Sequence, residues 1–223
     1  MTSINTVIIR TLGMQDYLET WLAMQQFTQD RQPDTPDEIW VLEHPPVYTQ
    51  GQNGKPEHLL SPGTIPVIQT DRGGQVTYHG PGQLIVYTLI DLKRHKLNTR
   101  GIVTVLERAV VQLLADYQVD AKAKCDAPGV YIDNKKICSV GLRIKRGCSF
   151  HGLALNVAMD LAPFLSINPC GFKDLKMTQL TEIDQTAKIA SVGSKLVGYL
   201  IADLGYTTPT YLTTAYSHQK SAS

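Results

Sequence analysis

Hydrophobic and polar positions change period several times along the chain. Residues 6–12 are a β-branched run, which predicts a strand. Gly13 is expected to break it, after which Leu18, Trp21, Leu22, Gln25 and Phe27 recur at helical spacing up to about Asp30. Residues 38–43 (EIWVLE) predict a strand that ends at His44-Pro45-Pro46, where two prolines remove ladder donors, and the loop through Gly54 is expected to be exposed. A short strand is expected at 67–70, while 83–90 (QLIVYTLI) is apolar almost throughout, as a strand buried on both faces would be. Val103, Leu106, Val110, Leu113, Leu114 and Tyr117 trace an amphipathic helix with Thr104 near its start. Residues 129–132, a turn at Asp133-Asn134 and residues 135–144 predict a hairpin, with a neighbouring strand at 149–157. Ile189, Val192, Leu196, Val197, Leu200 and Leu204 describe a further helix before a polar tail of about residues 207–223. Strands and helices interleave without regular βαβ alternation. The expected fold is therefore α+β: a single domain with a mixed β-sheet and helices packed on one face.

Composition narrows the function classes. A chain of 223 residues with 43% hydrophobic and 18% charged positions suits one ordinary globular domain. Its net charge, 21 − 20 = +1, lacks the excess with which nucleic-acid binders displace counterions, so no nucleic acid partner is expected. The apolar run at 7–9 is too short for a signal segment, and no stretch of about 18 apolar residues follows. No membrane association and a cytoplasmic location are the expectations. Four cysteines are too few for a disulfide framework, which leaves packing, metal binding or catalysis.

Residues 71–83 (DRGGQVTYHGPGQ) concentrate glycine with Arg72, Thr77, Tyr78 and His79. Glycines let a backbone approach a ligand closely and expose N–H donors, so this segment reads as a binding wall. It lacks the Walker phosphate-loop pattern. Cys170 lies between Pro169 and Gly171, an open setting for a nucleophile. A free thiol is only a few per cent ionised at neutral pH, so it needs a base or cation, with Lys135, Lys136, His79 and His151 as candidates. Cys138 and Cys148 sit in apolar strand contexts and Cys125 precedes Asp126-Ala127-Pro128; these three are read as packing. No zinc knuckle, paired-carboxylate site or Gly-x-Ser-x-Gly elbow is found, so no metal is expected.

Four motifs in order resemble those of the lipoyl(octanoyl) transferase family: Arg72-Gly73-Gly74-Gln75-Val76-Thr77-Tyr78-His79 continuing through Gly82-Gln83 to Tyr87; Lys136-Ile137 with Ser139-Val140-Gly141; His151-Gly152-Leu153-Ala154-Leu155-Asn156; and Pro169-Cys170-Gly171. The resemblance spans roughly residues 8–171. It implies the fold of the lipoate and biotin protein ligase catalytic domains. It also implies an octanoyltransferase in which Cys170 is the acyl-thioester nucleophile and Lys136 the partner that favours its thiolate and moves protons. A partly desolvated lysine titrates near neutrality, which would suit that role. By the same resemblance Arg72, Gly73, Gly74, Gln75, Val76, Thr77, Tyr78, His79, Ser139, Val140, Gly141, Gly152, Leu153 and Ala154 line the acyl site.

The implied donor is octanoyl-acyl carrier protein with its phosphopantetheine arm. The implied acceptors are lipoyl-domain lysines of 2-oxoacid dehydrogenases and the glycine cleavage protein. Neither ATP nor any other cofactor is expected. The rival readings are an ATP-dependent ligase that does not need Cys170, a cysteine thioester hydrolase using His79 or His151, and a non-catalytic binding module. Lys93, Arg94, His95, Lys96 and Arg100 form the densest basic cluster, a candidate dock for an acidic carrier as well as an ordinary solvated face.

Overall fold

The computed structural model describes residues 6–124 and 126–216, so Cys125 and the last part of the expected tail lie outside the described residues. In chain order the elements are β1 (Thr6–Met14), α1 (Tyr17–Asp30), β2 (Asp37–Glu43), β3 (Val47–Gln50), β4 (Val67–Gln69), β5 (Val76–His79), β6 (Gln83–Leu89), α2 (Thr99–Ala115), β7 (Lys122–Ala123), β8 (Gly129–Ile132), β9 (Lys135–Lys145), β10 (Cys148–Asn156), α3 (Ile189–Leu204) and β11 (Thr208–Leu212). The main sheet runs β11-β1-β2-β6-β10-β9-β8-β7, and β4-β3-β5 make a second, small sheet. β1 is parallel to both neighbours, and the rest of the main sheet is antiparallel. Among the described residues no helix is long and apolar enough to cross a membrane.

Alternation along the central strands sends side chains to two cores. Val7, Ile9, Ile39, Val41, Leu84, Val86, Leu153 and Leu155 face α2 and α3. Trp40, Leu42, Ile85, Tyr87, Leu89, Phe150 and Ala154 face Met24 and Phe27 of α1. The expectation of helices on one face is therefore corrected: α1 covers the opposite face from α2 and α3. Each fully buried leucine on these faces, such as Leu106 or Leu113, contributes about 1.5 to 3 kcal/mol relative to exposure. α2 is capped by Asn98, whose side chain accepts from the Gly101 N–H at 2.8 Å, so it starts a turn and a half before Thr104.

Several local expectations change. Gly13, with φ 66°, lies inside β1 and marks a register shift against β2 rather than a strand end. α1 buries Tyr17, Thr20, Met24, Phe27 and Thr28, while Leu18 and Leu22 are 45% and 52% exposed. Phe27 belongs to both series, but the apolar spacing otherwise favoured the neighbouring positions because the buried face includes Thr20 and Thr28. Val47, Tyr48 and Thr49, expected in an exposed loop, form buried strand β3 directly after the prolines. The tail contains β11, which adds parallel to β1.

The basic cluster after β6 is partly tied down. The carboxylate of Asp37, fully buried, accepts from Arg31, Arg94, Tyr206 and the Asp91 N–H and pairs with His95 at 2.9 Å. Arg94 and His95 thus point inward and join the ends of α1, β6 and α3. That leaves Lys93, Lys96 and Arg100 as what remains of the proposed dock.

Candidate active site

Lys136 is set at the start of β9 by backbone bonds on both of its polar groups. Its N–H donates to Lys176 O at 2.8 Å, and its carbonyl accepts from Thr178 N–H at 3.0 Å. The side chain is 1% exposed, whereas Lys135 next to it faces solvent. Adjacent strand residues face opposite ways, so only one of this pair can enter the site. Lys136 Nζ donates to Cys170 Sγ at 3.0 Å and stands 5.4 Å from the Tyr131 ring centroid. Burial pulls its pKa down, but the Cys170 sulfur and Tyr131 more than offset that, leaving it above the ordinary lysine value. The expectation of a lysine titrating near neutrality is reversed: beside this sulfur Lys136 holds its proton.

Cys170 occupies the short turn Pro169–Gly171 with φ 57° and ψ 14°, a left-handed conformation unusual for a side-chain-bearing residue. The turn is fastened by Asn168, whose N–H donates to His58 O at 2.9 Å. Gly129 crowds the lysine from the other side. With φ 135° it takes a backbone form that other residues rarely adopt, and a Cβ there would sit 2.6 Å from Lys136 Cε. Of the remaining described thiols, burial pushes Cys138 up to about 12 and Cys148 upward as well, in keeping with packing roles.

A cavity of about 410 Å³ opens beside the Lys136–Cys170 pair. It is lined by Arg72, Gly73, Gly74, Gln75, Val76, Thr77 and His79 on one wall, and by Ser139, Val140, Gly141, Gly152, Leu153 and Ala154 on the sheet. Tyr78 is the exception within 72–79. Its ring turns away to pack with Tyr48 and Phe164 under the small sheet. Sequence reasoning gave no lining role to Tyr17, Ile85, Tyr87, Leu142 or Phe172, which also line the cavity. A lone aromatic at a helix start carries no signal of that kind, although Phe172 adjoins the Pro-Cys-Gly turn and Tyr87 ends the glycine-rich motif. The Gly73 N–H is already bonded to Leu142 O at 2.9 Å and is not a free donor to a ligand.

Buried hydrogen bonds fix the two histidines. Thr49 Oγ1 accepts from Arg72 Nε and Nη2 and faces His79 Nε2 at 3.3 Å, while His79 Nδ1 lies 2.8 Å from Gln83 Oε1. Gln83 Nε2 donates to Asn156 Oδ1, and Asn156 Nδ2 to Thr178 O, which joins the glycine-rich wall to the segment holding Lys136. Burial, aided by His44, lowers His79 to about 3, so it is neutral. His151, with φ 60° inside β10, breaks strand alternation and reaches Asp71 Oδ1 at 2.9 Å. Burial lowers its pKa too, against the pull of Asp71. Asp71 also accepts from Gln25 and Trp21; against desolvation, the His151 bond first and then these two hold it at about 2. Neither histidine is hydrogen-bonded to Cys170. The arrangement therefore sets an ammonium against the Cys170 sulfur at the side of a largely apolar slot whose histidines are neutral.

Residues 16–201 match the family model described as the lipoyl protein ligase A/B catalytic domain. The chain is 58% identical over 201 residues to an octanoyltransferase of Shewanella oneidensis, covering 90% of this chain and 93% of that protein. It is 54% identical over 215 residues to an octanoyltransferase of Vibrio cholerae, covering 96% and 99%. Among solved structures, a lipoate-protein ligase A bound with ATP superposes with a TM-score of 0.75 at 14% identity, covering 96% of this chain and 89% of that one. A biotin protein ligase from Aquifex aeolicus gives 0.56 at 15%, covering 90% and 70%. At such identities the structural likeness concerns the fold.

Proposed function

Since the chain belongs to the lipoyl protein ligase A/B catalytic family and is an enzyme that transfers octanoyl groups in protein lipoylation, we propose that it does so through an octanoyl thioester on Cys170, with Lys136 as its partner. The donor in this reading is octanoyl-acyl carrier protein and the acceptor a lipoyl-domain lysine of a 2-oxoacid dehydrogenase or glycine cleavage protein. The observation that carries it is the 3.0 Å Lys136 Nζ–Cys170 Sγ bond at the edge of the cavity.

In the first step the sulfur attacks the donor thioester carbon, the carbon–sulfur bond to the phosphopantetheine breaks, and a proton goes to the departing thiol. In the second, the acceptor amine attacks the Cys170 thioester, an amide forms and the thiol is regenerated. One thioester is exchanged for another and then for the more stable amide, so neither ATP nor a metal enters the balance. Lys136 supplies positive charge beside the sulfur, gives its proton to the departing phosphopantetheine thiolate once the sulfur is acylated, and takes one back from the acceptor amine in the second step. The apolar slot between residues 72–79 and β9–β10 would hold the chain. It discriminates by about 1 to 3 kcal/mol per methylene.

Intact-protein mass after mixing with octanoyl-acyl carrier protein tests the reading. An octanoyl adduct is expected on the wild type and none on Cys170→Ala. An adduct that persists in Cys170→Ala, or lipoyl-domain octanoylation without any adduct-forming cysteine, would overturn it. ATP-dependent transfer of free octanoate by Cys170→Ala would favour the ligase chemistry instead.

A further inference from the structure

Tyr17 opens α1 immediately after its Asp16 cap and is 3% exposed, with its ring stacked on His79 at 5.8 Å. It lines the cavity, yet its hydroxyl makes no hydrogen bond. Buried polar groups almost always have a partner, so an orphan hydroxyl at a cavity wall marks where something binds. Thr49 Oγ1 already serves Arg72 and His79, and the Tyr87 hydroxyl pairs with His44 Nε2 at 2.7 Å; Thr70 Oγ1, which accepts from the Arg72 N–H, stands beside the Tyr17 hydroxyl without bonding it.

Arg72 lines the same region. Its guanidinium is buried, has no carboxylate partner, and bonds only to Thr49 and the Gly73 carbonyl. Those four contacts leave one of its five N–H donors unused. That end of the cavity thus holds two unfilled donors.

Lys136 and Gly141 are five positions apart on β9, and Arg72 stays within electrostatic reach of Cys170. Gly141 faces Gly152, and Gly152 faces Tyr87 one strand further on. Arg72 Cδ packs over Gly141. A chain fixed at Cys170 and running along the cavity brings its distal carbons toward Arg72 and Tyr17. A methyl group there leaves both donors unpaired, while an oxygen acceptor satisfies them.

We propose that Tyr17 and Arg72 form a distal hydrogen-bonding subsite, so that the enzyme accepts medium-chain acyl groups carrying a keto or hydroxyl oxygen near the chain end. This deepens the Cys170 acyl-transfer reading and rests on it. The test compares octanoyl, 7-oxo-octanoyl and 4-oxo-octanoyl carrier thioesters as donors to a lipoyl domain, with the wild type and Tyr17→Phe. Tyr17→Phe should lower the 7-oxo to octanoyl ratio of kcat/KM about fivefold or more, and leave the 4-oxo to octanoyl ratio unchanged. Ratios taken on one preparation are independent of its active fraction. A 7-oxo ratio equal in the two proteins would overturn the subsite. So would a wild type that handles 7-oxo no better than 4-oxo, the result expected if a bound water satisfies the donors.

Calorimetry of 7-oxo-octanamide and octanamide on Cys170→Ala, with and without Tyr17→Phe, reads the same subsite without any transfer. Loss of relative affinity for the oxo compound supports it, and no change refutes it. Absent octanoyl transfer by the wild type would instead refute the Cys170 reading, and the binding arm would still decide the subsite.

Discussion

Replacing Lys136 with methionine removes the ammonium and keeps most of the side chain's volume. At 3.0 Å and an effective dielectric of about 20, a unit charge on the sulfur and the ammonium attract by about 332/(20 × 3.0), or 5.5 kcal/mol. Desolvation of a lysine that is 1% exposed offsets part of this. What survives lies within the range of about 10²- to 10⁴-fold that a positioned acid–base partner contributes, or roughly 2.7 to 5.4 kcal/mol of barrier. The assay is the time course of octanoyl adduct formation on Lys136→Met against wild type, by intact-protein mass, with excess octanoyl-carrier donor. A slowing of at least a hundredfold is expected, together with a melting temperature that is unchanged or raised, since an apolar isostere relieves the buried charge. Acylation within tenfold of wild type, in a protein that melts normally, would refute the assignment of Lys136.

Gly129→Ala should slow acylation and destabilise the fold by a few kcal/mol, because the added Cβ meets Lys136 Cε at 2.6 Å and Cys138 O at 2.3 Å in a φ of 135°. Chemical denaturation and adduct kinetics measure the two effects, and wild-type values in both would count against the packing described. Asp37→Asn should cost about 3 to 5 kcal/mol, since it leaves Arg31 and Arg94 facing a neutral group in a buried network. Thermal melting of that variant gives the figure. For pH, His44 and His79 are lowered by burial to about 4 and about 3 and His151 is lowered as well, so the unfolded chain binds more protons as pH falls below 6.5. Asp37 and Asp71 are lowered too and add a loss below 3.8, extending for Asp71 to about 2. Stability measured by urea unfolding should therefore hold from pH 6.5 to about 8 and fall steadily below 6.5, whereas a flat profile from pH 7 to 4 would contradict the neutral buried histidines.

The buried Asp37 network also bears on carrier docking. It draws Arg94 and His95 inward, so charge reversal at Lys93, Lys96 and Arg100 is the remaining test of that face, read as a rise in KM for the acyl carrier.

Periodicity located the long elements because most of their buried positions are apolar: in β6, β10, α2 and α3 buried polar groups such as Thr88, Glu107 and His151 are too few to hide the spacing. Local motif order likewise carried Cys170, Lys136 and the glycine-rich wall. Where burial mixes polar with apolar groups, spacing misleads. α1 was assigned the face of Leu18 and Leu22 because its true inner face includes Thr20 and Thr28, and β3 was hidden behind two prolines in four residues too short to show a period. Which lysine of the adjacent pair enters the site is decided by β9 pairing with residues 176–178 and by the strand's alternation. That Tyr17, Asp71 and Arg72 meet His79, Tyr87 and His151 is likewise decided only when α1 packs on the side of the sheet away from α2 and α3. Sequence spacing reports which groups share one element's face; pairing register and packing decide which faces meet.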